Sequence, residues 1–272
     1  MEFNYQQSVI RNTGYISSDV QEKISRTRLV IAGCGIGSSL AEAAVRLGFR
    51  HFILIDGDVV DAHNLNRQDY VFDDIGTPKV SALARRIKAI NPEADVKEVN
   101  ALLTPENAAD LIGAGDIVFD TVDFLDISGI VAVHDAAREL GKPIVTAMSI
   151  GWGAGCVYFP PGSSWTFRKL FGLPDSGSVD NASYVERFSA AISRLATVLD
   201  PEVVQVVGQA LTVMEDGTPC PASQVSPGAF SVGAMAATLI VRILAGQPVT
   251  EAPKMTLVDV PALLTGPGLD LS

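Results

Sequence analysis

The sequence predicts an α/β fold, with a mostly parallel sheet covered by helices on both faces. Three observations predict it. Short β-branched apolar runs alternate with stretches of helical spacing through the first 150 residues, the order that parallel strands joined by crossover helices produce. A glycine cluster follows the first such run at once: Ala32-Gly33-Cys34-Gly35-Ile36-Gly37-Ser38. Apolar residues make up 47% and charged residues 19% of 272 residues, enough for a sizeable core in one large domain or one domain with an insertion.

The elements follow in order. Residues 1–27 read as a polar N-terminal arm with a helical stretch near 19–24. Residues 28–32, Arg-Leu-Val-Ile-Ala, form a buried strand. Leu40, Ala44 and Leu47 carry helical spacing over 38–47, and Gly48 stops that helix. Residues 52–55 are the second strand. Pro78 opens a helix that runs to about Ile90. Strands are expected over 96–102, 116–119 and 143–146, with a helix over 127–140 between the last two. The pattern then changes. Residues 150–158 are Gly-rich and read as an antiparallel strand, 162–200 as helices joined by a loop at 172–180, and 216–228 as a Gly/Pro/Ser surface loop. Residues 228–244 are small and apolar nearly all round and predict a buried helix. Residues 255–260 predict a last strand. The organisation is thus an arm (1–27), a core (28–160), a helical insertion (161–227) and a terminal helix and strand (228–272).

Charge and cysteines bound the partners. A net charge of −11 argues against a broad nucleic-acid footprint, which needs a basic patch. No run approaches the roughly 20 apolar residues of a membrane span, and the first residues show no secretory pattern; no membrane partner and a cytoplasmic location are expected. Cys34, Cys156 and Cys220 lie far apart, with no CxxC pair, which fits a reducing compartment and excludes a zinc site built from two such knuckles. His51, His63 and His134 show no metal spacing and are expected to be structural or solvated. Trp152 and Trp165, flanking the region after the fifth strand, read as core, with a place lining an acceptor groove as the other reading; Cys156 is expected in the core and Cys34 facing the glycine loop.

The glycine cluster between strand and helix allows backbone N–H groups to approach phosphate, beside the positive end of a helix dipole. This makes the fold Rossmann-like. Gly33, Gly35 and Gly37 are its candidate phosphate contacts. Asp56, at the end of the second strand, can accept hydrogen bonds from ribose hydroxyls, in NAD and adenosine alike. What separates the two is the run Asp56-Gly-Asp58-Val-Val-Asp-Ala-His-Asn64-Leu-Asn66-Arg67-Gln68, followed by Asp74-Ile-Gly76-Thr-Pro78-Lys79. An NAD-dependent oxidoreductase gives this run no role.

The run resembles the ThiF/MoeB/HesA-type adenylyltransferases of the ubiquitin-activating-enzyme superfamily, whose pattern is D-x-D-x-V-x-x-x-N-L-x-R-Q, then V/I-G-x-P-K. Asp56 to Gln68 matches without a gap, and Asp123 stands at the family's fourth-strand aspartate. The resemblance implies ATP and Mg2+ as cofactors, adenylylation of a carboxylate with release of pyrophosphate, and a homodimer. The implied acceptor is the C-terminus of a small sulfur-carrier or ubiquitin-like protein, or a peptide, lying in a groove shaped by a helical crossover insertion. It further implies Asp56 on the ribose, Asp58 among the nucleotide-binding residues, Asn64, Arg67, Gln68 and Lys79 around the triphosphate, and Asp123 as the magnesium ligand. The chemistry needs such groups, because the transition state spreads negative charge over phosphate oxygens. Arginine forks two of them and lysine meets another as a point charge. Cys220, in Pro219-Cys220-Pro221, falls where the family often carries a cysteine that attacks the acyl adenylate; an incidental cysteine is the other reading.

The sequence departs from the family in three places. Aligned by the distance to Asp56, Ala32 and Cys34 stand at the first two glycines of GxGGxG, with Gly35 and Gly37 at the others. Phe124 replaces the asparagine after the fourth-strand aspartate. Gln6 replaces the arm arginine that reaches the partner subunit's ATP, with Arg11 a turn or so beyond. These departures leave open a partner subunit of the same fold that has lost turnover.

Overall fold

The computed structural model describes residues 2–179, 193–215, 223–266 and 268–269. Seven strands form one sheet in the order β3-β2-β1-β4-β5-β6-β7: β1 (Arg28–Ala32), β2 (His51–Ile55), β3 (Asp95–Val99), β4 (Ile117–Asp120), β5 (Ile144–Ile150), β6 (Gly153–Phe159) and β7 (Thr256–Val258). The first five in chain order pair in parallel. β6 and β7 add on antiparallel to their neighbours.

Continuous apolar runs become strands buried on both faces because a helix layer covers each. Leu29 and Ile31 of β1, with Phe52 and Leu54 of β2, pack into one core, and Val30, Ala32, Ile53 and Ile55 into the other. This is the period-2 alternation of a pleated strand. The first face carries α3 (Gly37–Leu47), α4 (Lys79–Ile90) and α9 (Ser226–Leu244); the second carries α5 (Ala108–Ile112) and α6 (Ile127–Glu139). The edge strand β3 reads differently. Asp95, Lys97 and Glu98 leave it largely exposed, and such charge blunts edge-to-edge pairing.

The remaining helices are α1 (Tyr5–Ser8), α2 (Ser18–Arg26), α7 (Phe167–Leu170), α8 (Pro201–Glu215) and α10 (Val260–Thr265). The arm is anchored at the C-terminal end of α3. Tyr5 Oη donates to Gly48 O, and Asn12 Nδ2 and Gln21 Nε2 both donate to Leu47 O.

Helix α9 differs from its expectation. It starts at Ser226, with Pro227 in its first turn, and only one side is buried. Gly228, Gly233 and Ala236 let it press closely on α3 and the β5–β6 hairpin, while Phe230 is 55% exposed. By length and composition it is the one helix among the described residues that matches a membrane span. Its buried side packs against α3 and the sheet. Trp152 also departs from expectation: it lies in the tight β5–β6 turn and is exposed, because two residues join the strands and the ring has no core to enter.

Candidate active site

The chain leaves β1 through α3 to one side and returns through α5 to β4 on the other, so the strand order reverses between β1 and β4. In doubly wound sheets the crevice beyond the strand ends at that reversal takes the ligand. Here the ends of β1, β2 and β4 enclose a cavity of about 230 Å³, whose lining includes Gly33, Asp56, Asp58, Leu102, Val122 and Asp123.

The glycine turn is built around Gly33. Its φ is +91°, a region that side chains rarely enter. A Cβ there would overlap the Thr121 carbonyl and stand 2.7 Å from Val122 N. Thr121 Oγ1 donates to Ala32 O and Gly33 O, at 3.0 and 2.6 Å. Gly37 opens α3 because a Cβ would stand 2.5 Å from Thr121 Oγ1. Gly35 has more room: its imagined Cβ meets only the Gln68 amide, at 3.2 Å. The turn position that requires glycine is therefore residue 33.

Cys34 contributes backbone, not side chain. Its N–H donates to Asp56 Oδ2 at 2.7 Å, and Sγ lies fully buried, 3.9 Å from Ile55 O. The expectation that it faces the glycine loop fails because the backbone N–H points to the site and the thiol turns into the core. Burial raises its pKa well above the usual thiol value, with the Asp56 charge adding to that; burial also pushes Cys156 up to about 12. Thiolate is the reactive form. Iodoacetamide should therefore leave both unlabelled in the native protein and label both after denaturation. Native labelling of Cys34 at the denatured rate would show that this core opens.

Asp56 braces the site from the end of β2. Oδ2 holds the glycine turn through Cys34, and Oδ1 accepts the Asp58 N–H at 2.8 Å. Burial raises its pKa, against the Lys79 charge and these two N–H groups. Lys79 is buried at the start of α4, and its Nζ meets Asp58 Oδ2 at 2.7 Å. The loop between them is tied to the glycine turn twice: Asp69 N–H donates to Ser38 Oγ, and Tyr70 Oη donates to Cys34 O at 2.7 Å. Gln68 is buried over Gly35, and its Oε1 has no hydrogen-bond partner among the described residues.

Asn64 serves its own turn. It is buried, and its Oδ1 accepts the Asp61 N–H at 2.9 Å. Arg67 is half-buried; desolvation lowers its pKa, and the Asp123 charge works against that. Asp123 is exposed at the cavity, with Oδ1 accepting the Leu125 N–H. The structure thus lines one crevice with Gly33, Asp56, Asp58 and Asp123; Lys79 reaches its rim through Asp58, Gln68 sits over Gly35, and Arg67 feels the Asp123 charge. Cys220 lies outside the described residues. Phe124 packs against the cluster of Ile127, Ile130 and Phe167 between α6 and α7, so an apolar contact stands at the family's asparagine. Gln6 and Arg11 are exposed on the arm. That arm is anchored beyond the far end of α3, about 16 Å of helix from the glycine turn at 1.5 Å per residue, so neither serves the site of its own chain.

Three features escaped sequence reading. Ala101, Leu102 and Leu103 line the cavity; their signal was their place just past the strand beside β2. Asp120, at the end of β4, forms a buried network with His134 and Thr146. Its Oδ2 lies 3.1 Å from His134 Nε2 and 3.0 Å from Thr146 Oγ1. Gln224 bonds to Arg67, and nothing local marks either contact.

Fold and crevice define a doubly wound α/β domain with a nucleotide-type site at its switch point. The chain belongs to the ThiF family, whose model matches residues 8–264. A stretch of 191 residues is 31% identical to the sulfur carrier protein ThiS adenylyltransferase of Bacillus subtilis (strain 168), covering 68% of this chain and 52% of that protein. A stretch of 119 residues is 41% identical to the tRNA threonylcarbamoyladenosine dehydratase of Escherichia coli (strain K12), covering 43% and 44%. The matches span between 32% and 64% of the length of these and similar curated relatives. Among solved structures, PaaA superposes with a TM-score of 0.67 at 19% identity, over 94% of this chain and 78% of that one. The E. coli dehydratase TcdA in complex with ATP superposes at 0.59 and 18% identity, over 89% and 95%. These structures share the fold.

Proposed function

We propose that this chain binds ATP in the crevice and adenylylates a carboxylate, the C-terminus of a small sulfur-carrier or ubiquitin-like protein or of a peptide. One observation supports the reading: a glycine turn adjoins a cavity lined by Asp56, Asp58 and Asp123, with Lys79 paired to Asp58 and Arg67 under the influence of the Asp123 charge. Family membership supports the reaction class. The named activities of the sulfur-carrier relatives support the acceptor.

In this reading the acceptor carboxylate oxygen attacks the α-phosphorus. A P–O bond forms, the bond to the β-phosphate breaks, and pyrophosphate leaves with the electron pair. Lys79 gives up Asp58 for a phosphate oxygen, and the Arg67 guanidinium faces another. Gln68 stands over Gly35, with its Nε2 nearest, where its amide N–H can donate to a phosphate oxygen. Asp56 receives the ribose. Asp123, exposed at the cavity, would be the carboxylate to hold a magnesium ion, which would supply neutralisation of phosphate charge there and needs only one or two protein carboxylates. Adenylylation in a cytoplasmic homodimer, with the arm serving the partner's site, completes the proposal.

A second reading has an observation of its own. The match to the E. coli tRNA threonylcarbamoyladenosine dehydratase reaches 41% identity, which favours a carboxylate carried on tRNA despite the net charge of −11.

Pyrophosphate exchange tests both, with a Gly-Gly-ending carrier, a peptide and a threonylcarbamoylated tRNA as separate acceptors. Exchange is expected with the carrier or the peptide, and Lys79→Ala or Asp123→Ala should lower it by about a hundredfold or more. Exchange that survives either substitution would falsify the site; exchange with tRNA alone would move the acceptor to the second reading. Nucleotide binding without exchange for any acceptor identifies a partner subunit without turnover.

A further inference from the structure

We propose that Gln224 is a positioning residue for the Arg67 guanidinium, so that the segment leading into α9 takes part in phosphate binding. The proposal rests on the nucleotide reading above. Arg67 Nε donates to Gln224 Oε1. Arg67 Nη1 donates to His63 O at 3.1 Å and to Asn66 Oδ1 at 2.9 Å. Asn66 Nδ2 donates to Gln224 O at 3.0 Å. Two adjacent loop residues therefore grip both the side chain and the backbone of Gln224, which is 157 positions away from Arg67 in sequence.

A guanidinium is a rigid plane with five donors. Holding Nε and Nη1 fixes that plane and its rotation. Among the described residues Nη2 donates to no protein group, so it is the edge left for a phosphate oxygen. The acceptor on Nε is a neutral amide. A carboxylate there would cancel the charge that phosphate needs; glutamine orients it and leaves it intact. An arginine held before the ligand arrives loses less rotamer freedom on binding. The contact also gives α9 a physical link to the nucleotide: whatever seats Gln224 sets Arg67, and a phosphate that holds Arg67 holds Gln224 by reciprocity.

The test compares ATP with AMP, because only ATP carries the β- and γ-phosphates. Both affinities are measured calorimetrically on the full chain for wild type, Gln224→Ala, Gln224→Met, Arg67→Ala and the Arg67→Ala/Gln224→Ala pair. Methionine keeps the length and packing of glutamine and loses only the acceptor. Each glutamine variant should bind ATP about tenfold more weakly and AMP within about twofold of wild type, as for loss of one hydrogen bond to a charged group. In the Arg67→Ala background the Gln224 substitution should change nothing further. An unchanged ATP affinity, an equal loss for AMP, or additive effects in the pair would overturn the proposal while leaving the nucleotide site intact. Tighter ATP binding would also overturn it, since Gln224 would then compete with phosphate. If Arg67→Ala alone leaves ATP affinity unchanged, the phosphate role of Arg67 falls and this proposal with it.

Discussion

Gly33→Ala is expected to abolish nucleotide binding and to lower stability by about 3 kcal/mol or more. For a domain of this size that moves the melting midpoint by roughly 6–12 °C. Two terms add. The φ of +91° strains any side chain, and the new Cβ would overlap the backbone of Thr121 and Val122. Neither obstacle is a flexible side chain, so β1 and β4 must part at the crevice, where the cavity is formed. Gly141→Ala isolates the first term. Gly141 has φ +63° and nothing within 4 Å of an added Cβ, so only strain of about 1 kcal/mol is expected there. Differential scanning calorimetry with ATP titration compares the two. Equal midpoints for both variants would show that the close approach of Gly33 to β4 contributes nothing.

His134→Ala is the second large effect, at about 3 kcal/mol. Asp120 is 1% exposed, and the imidazole supplies one of the polar groups around its carboxylate; Thr146 Oγ1 and the Val122 N–H are the others. Losing the ring removes one of these partners and leaves a cavity beside the buried carboxylate. The same carboxylate holds the Val122 N–H, and Val122 precedes Asp123, so weaker ATP binding should accompany the loss. A double change separates structure from polarity. Asp120→Val with His134→Leu removes both partners together and should recover at least about half of the lost stability, since apolar replacement of a buried polar pair is often near neutral. Chemical denaturation reads this directly. Additive losses would mean that the two side chains do not act as one unit.

Much of this protein could be read from its linear pattern. The β1 and β2 runs, the α3 and α4 helices and the turn between strand and helix follow from β-branching, helical spacing, Pro78 and glycine placement, all of which act within a few residues. The Asp56–Gln68 run pointed to the crevice because its spacing ties a strand end to a loop and a helix start. Local pattern failed where a contact partner is distant. Trp152 looked like core from its size and lies exposed in a two-residue turn. The apolar α9 looked buried all round, yet α3 and the β5–β6 hairpin cover only one side.

The order of residues alone determined the parallel α/β sheet, the phosphate-type turn and the chemical types around it, because propensity and periodicity are properties of neighbours in the chain. The tertiary structure decided which turn position requires glycine, that the Cys34 thiol turns inward, that Asp120 finds His134, and that Arg67 is held by a residue 157 positions away. Those outcomes depend on which strand ends meet at the reversal of strand order, and no local signal specifies that meeting.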